Sequence, residues 1–187
     1  MKTTPPASVK ELNKRAITAY LYSKGPATKQ MLERELNLSL PTITQNLRTL
    51  EVEGLIRKGE QLQSTGGRKA QTFAFVCRAK IAIGVTMRAN GLTLCAVDLG
   101  GNVISRKFKL LPYHNTDIYY QQMGVIINAF AAGVERNDDN VLGVAFSIQG
   151  IVSADGQTIT FGNIMGNTGL RLDVIAQNVK FPCIMIH

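Results

Sequence analysis

Apolar residues recur with helical spacing through the first part of the chain. In VKELNKRAITAYLYSKG, Leu12, Ile17 and Leu21, with Ala16 and Tyr20 beside them, predict an amphipathic helix behind an N-cap at Ser8. Gly25 and Pro26 stop it. Thr28 then caps a short helix, KQMLEREL, that turns Met31, Leu32 and Leu36 inward; no acidic residue stands three positions after Thr28, so the capping box is incomplete. After the polar break Asn37-Leu38-Ser39, Ser39 caps a third helix that begins at Leu40-Pro41, runs through Glu53 and ends at Gly54. Ile43, Leu47 and Leu50 line one side of it, and Thr42, Gln45, Arg48 and Thr49 the other. A strand over residues 55–58, the polar glycine-bearing stretch GEQLQSTGGRKA and an alternating strand over 71–76 follow.

Beyond residue 80 the periodicity changes to that of strands. Residues 81–85, 91–98 and 103–110 predict three antiparallel strands, the last two joined by a hairpin at LGGN. A helix over 116–135 follows, with Ile118, Met123, Ile126, Ile127 and Phe130 inward, then a turn at 137–140 and a buried strand over 141–148. Ile151-Val152 and residues 158–161 flank a turn at Asp155-Gly156; a short helix near 172–178 precedes a last apolar strand over 182–186. The order predicts an α/β fold. An apolar strand with nothing after it to cover it predicts a shortened protein or an expressed fragment.

The net charge of +8 is uneven: residues 1–80 hold 14 Lys/Arg against 6 Asp/Glu, and residues 81–187 hold 7 of each. A basic unit joined to a neutral one points to a polyanion-binding module with a passenger. No stretch approaches the roughly 20 apolar residues of a membrane span, and MKTTPPASVKELNK has no apolar signal core. Three distant cysteines, Cys77, Cys95 and Cys183, argue against a disulfide framework or a cysteine zinc site and suit the reducing cytoplasm. His114 and His187 have no partners at metal or triad spacing, so no metal site is expected and no cofactor is called for; His114 reads as a loop residue and His187 as a chain end.

Two helices joined by a short turn, the second with an uncharged polar face, match the helix-turn-helix pattern, and a strand, basic loop and strand complete a winged form over residues 1–78. Gln can bond adenine through two hydrogen bonds, Arg guanine, and Thr a base edge or the thymine methyl. Thr42, Thr44, Gln45 and Arg48 are therefore the candidate base-reading residues. Lys29 and Gln30 open the second helix, where a phosphate can be held, and Lys69 is a third backbone contact. Arg68, beside Gly66-Gly67, is a candidate for the minor groove.

The winged helix ending EGLIRKGE, the loop STGGRKAQ, the strand IAIGVTM, the pair LTLCAVDLGGNVISR, the segment LGVAFSIQGIVSADG and the end FPCIMIH together resemble the N-terminal part of a ROK-family (repressor, open reading frame, kinase) transcriptional repressor. The resemblance implies a DNA-binding head over 1–78 and, over 79–187, the incomplete first lobe of a ribonuclease H-like, actin and sugar-kinase-type domain. It also implies a double-stranded operator, a sugar or sugar-phosphate effector and a homo-oligomer. Departures bear on activity. Kinases of the family carry an Asp and a glycine pair after the first strand, where this chain has Thr86-Met87-Arg88-Ala89-Asn90. Their catalytic Asp would follow His187, and Gly100-Gly101 reads as a turn. No phosphotransferase activity is expected. The family's Pro-Gly turn is Gln149-Gly150 here, and Asn163 in FGNIMG falls near the loop that faces the effector in relatives, so Gly150 and Asn163 are the candidate effector residues. The expected function is a repressor of sugar-related genes; a sugar kinase with an N-terminal extension and a protein-binding winged helix are the alternatives.

Overall fold

Ser8, Thr28 and Ser39 each accept a backbone N–H three residues on, from Glu11, Met31 and Thr42, in a computed structural model that describes residues 8–62 and 69–187. The helices they cap are α1 (Val9–Lys24), α2 (Lys29–Leu36) and α3 (Leu40–Val52). Gly25 (φ 89°) and Gly54 (φ 72°) end the first and third in the left-handed region, where a glycine carries no Cβ penalty. Three strands, β1 (Ala27–Thr28), β2 (Ile56–Leu62) and β3 (Ala70–Phe75), form an antiparallel sheet with β3 in the middle. Ile17, Leu21, Leu32, Ile43, Leu47, Leu50, Ile56 and Phe73 close the core between helices and sheet. The described residues divide into two units between Ala79 and Lys80.

The second unit is α/β. Its strands are β4 (Ile81–Arg88), β5 (Gly91–Asp98), β6 (Val103–Leu110), β7 (Val141–Ser147), β8 (Ile151–Val152), β9 (Ile159–Phe161) and β10 (Cys183–Ile186), with helices α4 (Asp117–Val134) and α5 (Leu172–Ala176). The main sheet runs β10-β7-β4-β5-β6; β4, β7 and β10 are parallel, and β5 and β6 antiparallel. Alternate residues, Ile81, Ile83, Val85 and Met87 of β4, with Leu92, Leu94 and Phe146, pack with Tyr120, Met123, Ile127 and Phe130 of α4. The hairpin between β5 and β6 is held by Asp98, whose carboxylate accepts the N–H of Gly100 and of Asn102, each at 2.9 Å. That agrees with reading the glycine pair as a turn.

Several expectations are corrected. Leu12 is 53% exposed and Ala16 is exposed, whereas Ile17 is fully buried. Leu12 lies five residues before Ile17, about 140° away around the helix at 100° per residue, so it leaves the core-facing stripe. Ile118 is 67% exposed for the same reason, five residues before Met123. The two-residue strand β1 was not expected. β2 runs on to Leu62, past residue 58, because a bulge interrupts its alternation without ending the pairing. β4 continues to Arg88, and the helix near residue 172 ends at Ala176.

Ile17→Ala is expected to cost about 2–5 kcal/mol, and Leu12→Ala no more than about 0.5 kcal/mol. Urea unfolding followed through the helical signal measures both; equal costs would contradict the assignment of α1's faces.

Candidate functional site

The polar side of α3 is narrower than its sequence suggests. Thr44, Gln45 and Arg48 are exposed, and the i, i+3 and i+4 spacings set them as one row. Thr42 and Thr49 are half-buried. The Thr42 hydroxyl lies 2.9 Å from that of Ser39, and the Thr49 hydroxyl donates to the Gln45 carbonyl at 3.1 Å, so both are engaged inside the helix. Asn46, absent from the sequence reading, is 3% exposed; its amide nitrogen donates to the Thr42 carbonyl at 2.8 Å and its Oδ1 has no partner. A lone Asn on a helix carries no sequence signal of burial.

α2 begins where β1 ends. Thr28 belongs to the strand and its hydroxyl accepts the Met31 N–H at 3.2 Å, which leaves Lys29 and Gln30 at the start of the helix. A groove of about 500 Å³ runs between this helix start and the β2–β3 hairpin, and Lys29, Gln30, Leu40, Gln61, Lys69 and Gln71 line it. A neighbouring recess of about 300 Å³ is lined by Lys29, Thr44, Arg48, Glu51 and Lys58. Lys29 therefore borders both: the structure brings it together with Gln30 and Lys69 on one side and with Thr44 and Arg48 on the other. Gln61, Gln71 and Lys58 were missed, because glutamines of a hairpin strand look like any solvated face.

Charge accumulates here. Glu51 and Lys58 form an ion pair at 3.6 Å, and Lys14 of α1 meets Glu53 at 2.7 Å beyond the end of α3. That hydrogen bond holds the Lys14 ammonium above its ordinary pKa. Among the described residues, no carboxylate pairs with Lys29, Arg48 or Lys69. Such a row of unneutralised cations beside amide and hydroxyl donors is suited to a polyanion. Arg68 lies outside the described residues.

The second unit treats its two candidates differently. A Cβ on Gly150 would overlap the Phe161 carbonyl, so this glycine permits close approach of two backbone segments. Asn163 is exposed in a turn whose carbonyl accepts the Gly166 N–H at 3.4 Å. Both lie at the same end of the β8–β9 ribbon, in which Ile151 pairs with Phe161. His187 is more than a chain end: its Nδ1 is 3.3 Å from the Gly150 carbonyl and 3.4 Å from the Val152 N–H. Asn167, which the sequence does not single out, is 1% exposed with its Oδ1 unpartnered and packs against Gly162. Burial pushes the Cys183 thiol up to about 11, so it stays protonated and poorly nucleophilic at neutral pH. Among the described residues, no helix is long and apolar enough to cross a membrane.

No family model matches the chain. It is 25% identical over 180 residues to the DNA-binding transcriptional dual regulator NagC of Escherichia coli (strain K12), covering 96% of this chain and 44% of that protein. It is 21% identical over 153 residues to the xylose repressor of Bacillus subtilis (strain 168), covering 82% of this chain and 40% of that one. The chain thus spans less than half the length of the curated relatives it matches. Its fold is that of a ROK family transcriptional regulator described as a homolog of the E. coli MLC protein, with a TM-score of 0.69 and 19% identity over 95% of this chain and 45% of that chain.

Ser39→Ala is expected to destabilise the first unit by about 1 kcal/mol, the typical cost of losing a helix N-cap. Urea titration reads this directly, and Ser39→Asp should restore most of the loss.

Proposed function

We propose, from the relation of this chain to ROK-type transcriptional repressors, that it acts in the cytoplasm as a regulator that occupies an operator in double-stranded DNA. One observation carries the reading: Thr44 and Arg48 of the exposed row Thr44, Gln45 and Arg48 line a recess with Lys29, which also borders the groove that Lys69 lines, and Lys29, Arg48 and Lys69 have no carboxylate partner among the described residues. In this reading residues 1–78 are a winged helix. α3 lies in the major groove, where Gln45 and Arg48 bond base edges and Thr44 contacts a base edge or a thymine methyl. Thr42, with its hydroxyl close to Ser39, contributes at the helix start. Lys29, Gln30 and Lys69 hold phosphates and fix the register, and Arg68 enters the minor groove. A homo-oligomer supplies a second head to the other half-site, one helical turn or a multiple of it away.

Residues 79–187 are, in this reading, the first lobe of a ribonuclease H-like, sugar-kinase-type domain that senses rather than phosphorylates. Thr86, Met87 and Arg88 continue strand β4, at the place where kinases of the family carry an Asp and paired glycines. A sugar is the effector class that the xylose repressor's name suggests; the proposal extends to a sugar phosphate, with Gly150 and Asn163 bordering its entry.

Fluorescence anisotropy with duplex DNA selected from genomic fragments tests the reading. Gln45→Ala and Arg48→Ala are each expected to weaken the best site by about 1–3 kcal/mol and to relax base preference at one position. Lys29→Ala should weaken all sequences alike and lower the salt slope by about 0.9. A double Gln45→Ala, Arg48→Ala chain that binds as tightly as the parent would refute it.

A further inference from the structure

The β2–β3 hairpin is not regular. Lys58 pairs with Phe73 and Gln61 with Gln71, so Gly59 and Glu60 stand opposite Thr72 alone. Such a β-bulge interrupts the ladder, bends the strand and increases its twist. Side chains of β3 take up both carbonyls of the bulge. Gln71 Nε2 donates to the Gly59 carbonyl at 2.7 Å, and Thr72 Oγ1 donates to the Glu60 carbonyl at 2.5 Å. Glycine is needed at 59, since a Cβ there would lie 2.6 Å from Thr72 Oγ1. Thr72 is 4% exposed, and on its other side it is the register partner of Thr28, the residue that caps α2. Gln61, Lys69 and Gln71 line the groove that Lys29 and Gln30 border from the helix side.

We infer that Gln71 and Thr72 are positioning residues for phosphate binding: they lock the bulge, and the lock holds Gln61 and Lys69 across the groove from Lys29 and Gln30. Without it the ladder can shift by one residue, which sends Gln61 to the opposite face of the strand, because side chains alternate. Thr72 joins the two walls, bonded to the bulge on one strand and paired with the start of α2 on the other. This inference rests on the DNA-binding reading for the identity of the phosphate, but not for the lock itself.

The test uses the full chain with Thr72→Val, which keeps the shape and removes the donor, and with Thr72→Ser, which restores the donor. Duplex binding is measured against salt well below the unfolding temperature, and amide hydrogen exchange is followed without DNA. Thr72→Val is expected to reduce the salt slope by about 1–2, one or two phosphate contacts, while base preference at the α3 positions stays that of the parent. Exchange at Gln61 and Met31 should quicken, and Thr72→Ser should reverse both effects. A purely structural role would lower the unfolding temperature and leave the slope alone. Parent-like slope and exchange in Thr72→Val overturn the inference. A parent chain with no salt-dependent duplex binding overturns the proposed function, and the phosphate role of the lock with it.

Discussion

Thr28 holds two positions at once. Its backbone is paired to β3, and its hydroxyl caps α2. The start of α2 follows from that constraint. α2 starts directly at the sheet, so Lys29 and Gln30 cannot drift from the hairpin. A helix of eight residues would be marginal in isolation, because nucleation is costly and few hydrogen bonds repay it. The cap and the burial of Leu32 supply what propensity does not. α3 then closes on the same core through Ile43, Leu47 and Leu50, which turns Thr44, Gln45 and Arg48 outward.

The two units distribute charge in opposite ways. In the second, polar side chains tend to finish local turns: Asp98 holds its hairpin, and Ser153 and Asp155 close another, where hydrogen bonds keep the Asp155 carboxyl below the usual range. In the first, Lys29, Arg48 and Lys69 have no carboxylate partner among the described residues, whereas Lys58 beside them is paired with Glu51. Leaving like charges unpaired on a small domain opposes folding slightly through self-repulsion.

Much of this fold was legible because its signals are local. A Ser or Thr before a periodic run marked each helix of the first unit, and glycines with positive φ marked two of the ends. Leu12 and Ile118 were misread because a stripe of hydrophobic residues was extended past the arc that the core covers. β1 was invisible, since two residues carry no alternation. The candidate site was legible in its type and less so in its members. The exposure of Arg48 and Gln45 followed from helical spacing, but Thr42 is half-buried with its hydroxyl beside Ser39, and Asn46 was buried by neighbours the sequence does not identify. Gly150 and Asn163 were chosen by resemblance, and a close backbone approach and a turn account for their local geometry.

The extra residue at Gly59–Glu60 separates the hairpin into an inner and an outer part. Inward of it, Ile56 and Phe73 are committed to the core. Outward of it, the facing of side chains is set anew. A deletion within the bulge would invert the outer half of the strand while leaving the core intact, giving a stably folded protein with the wrong surface.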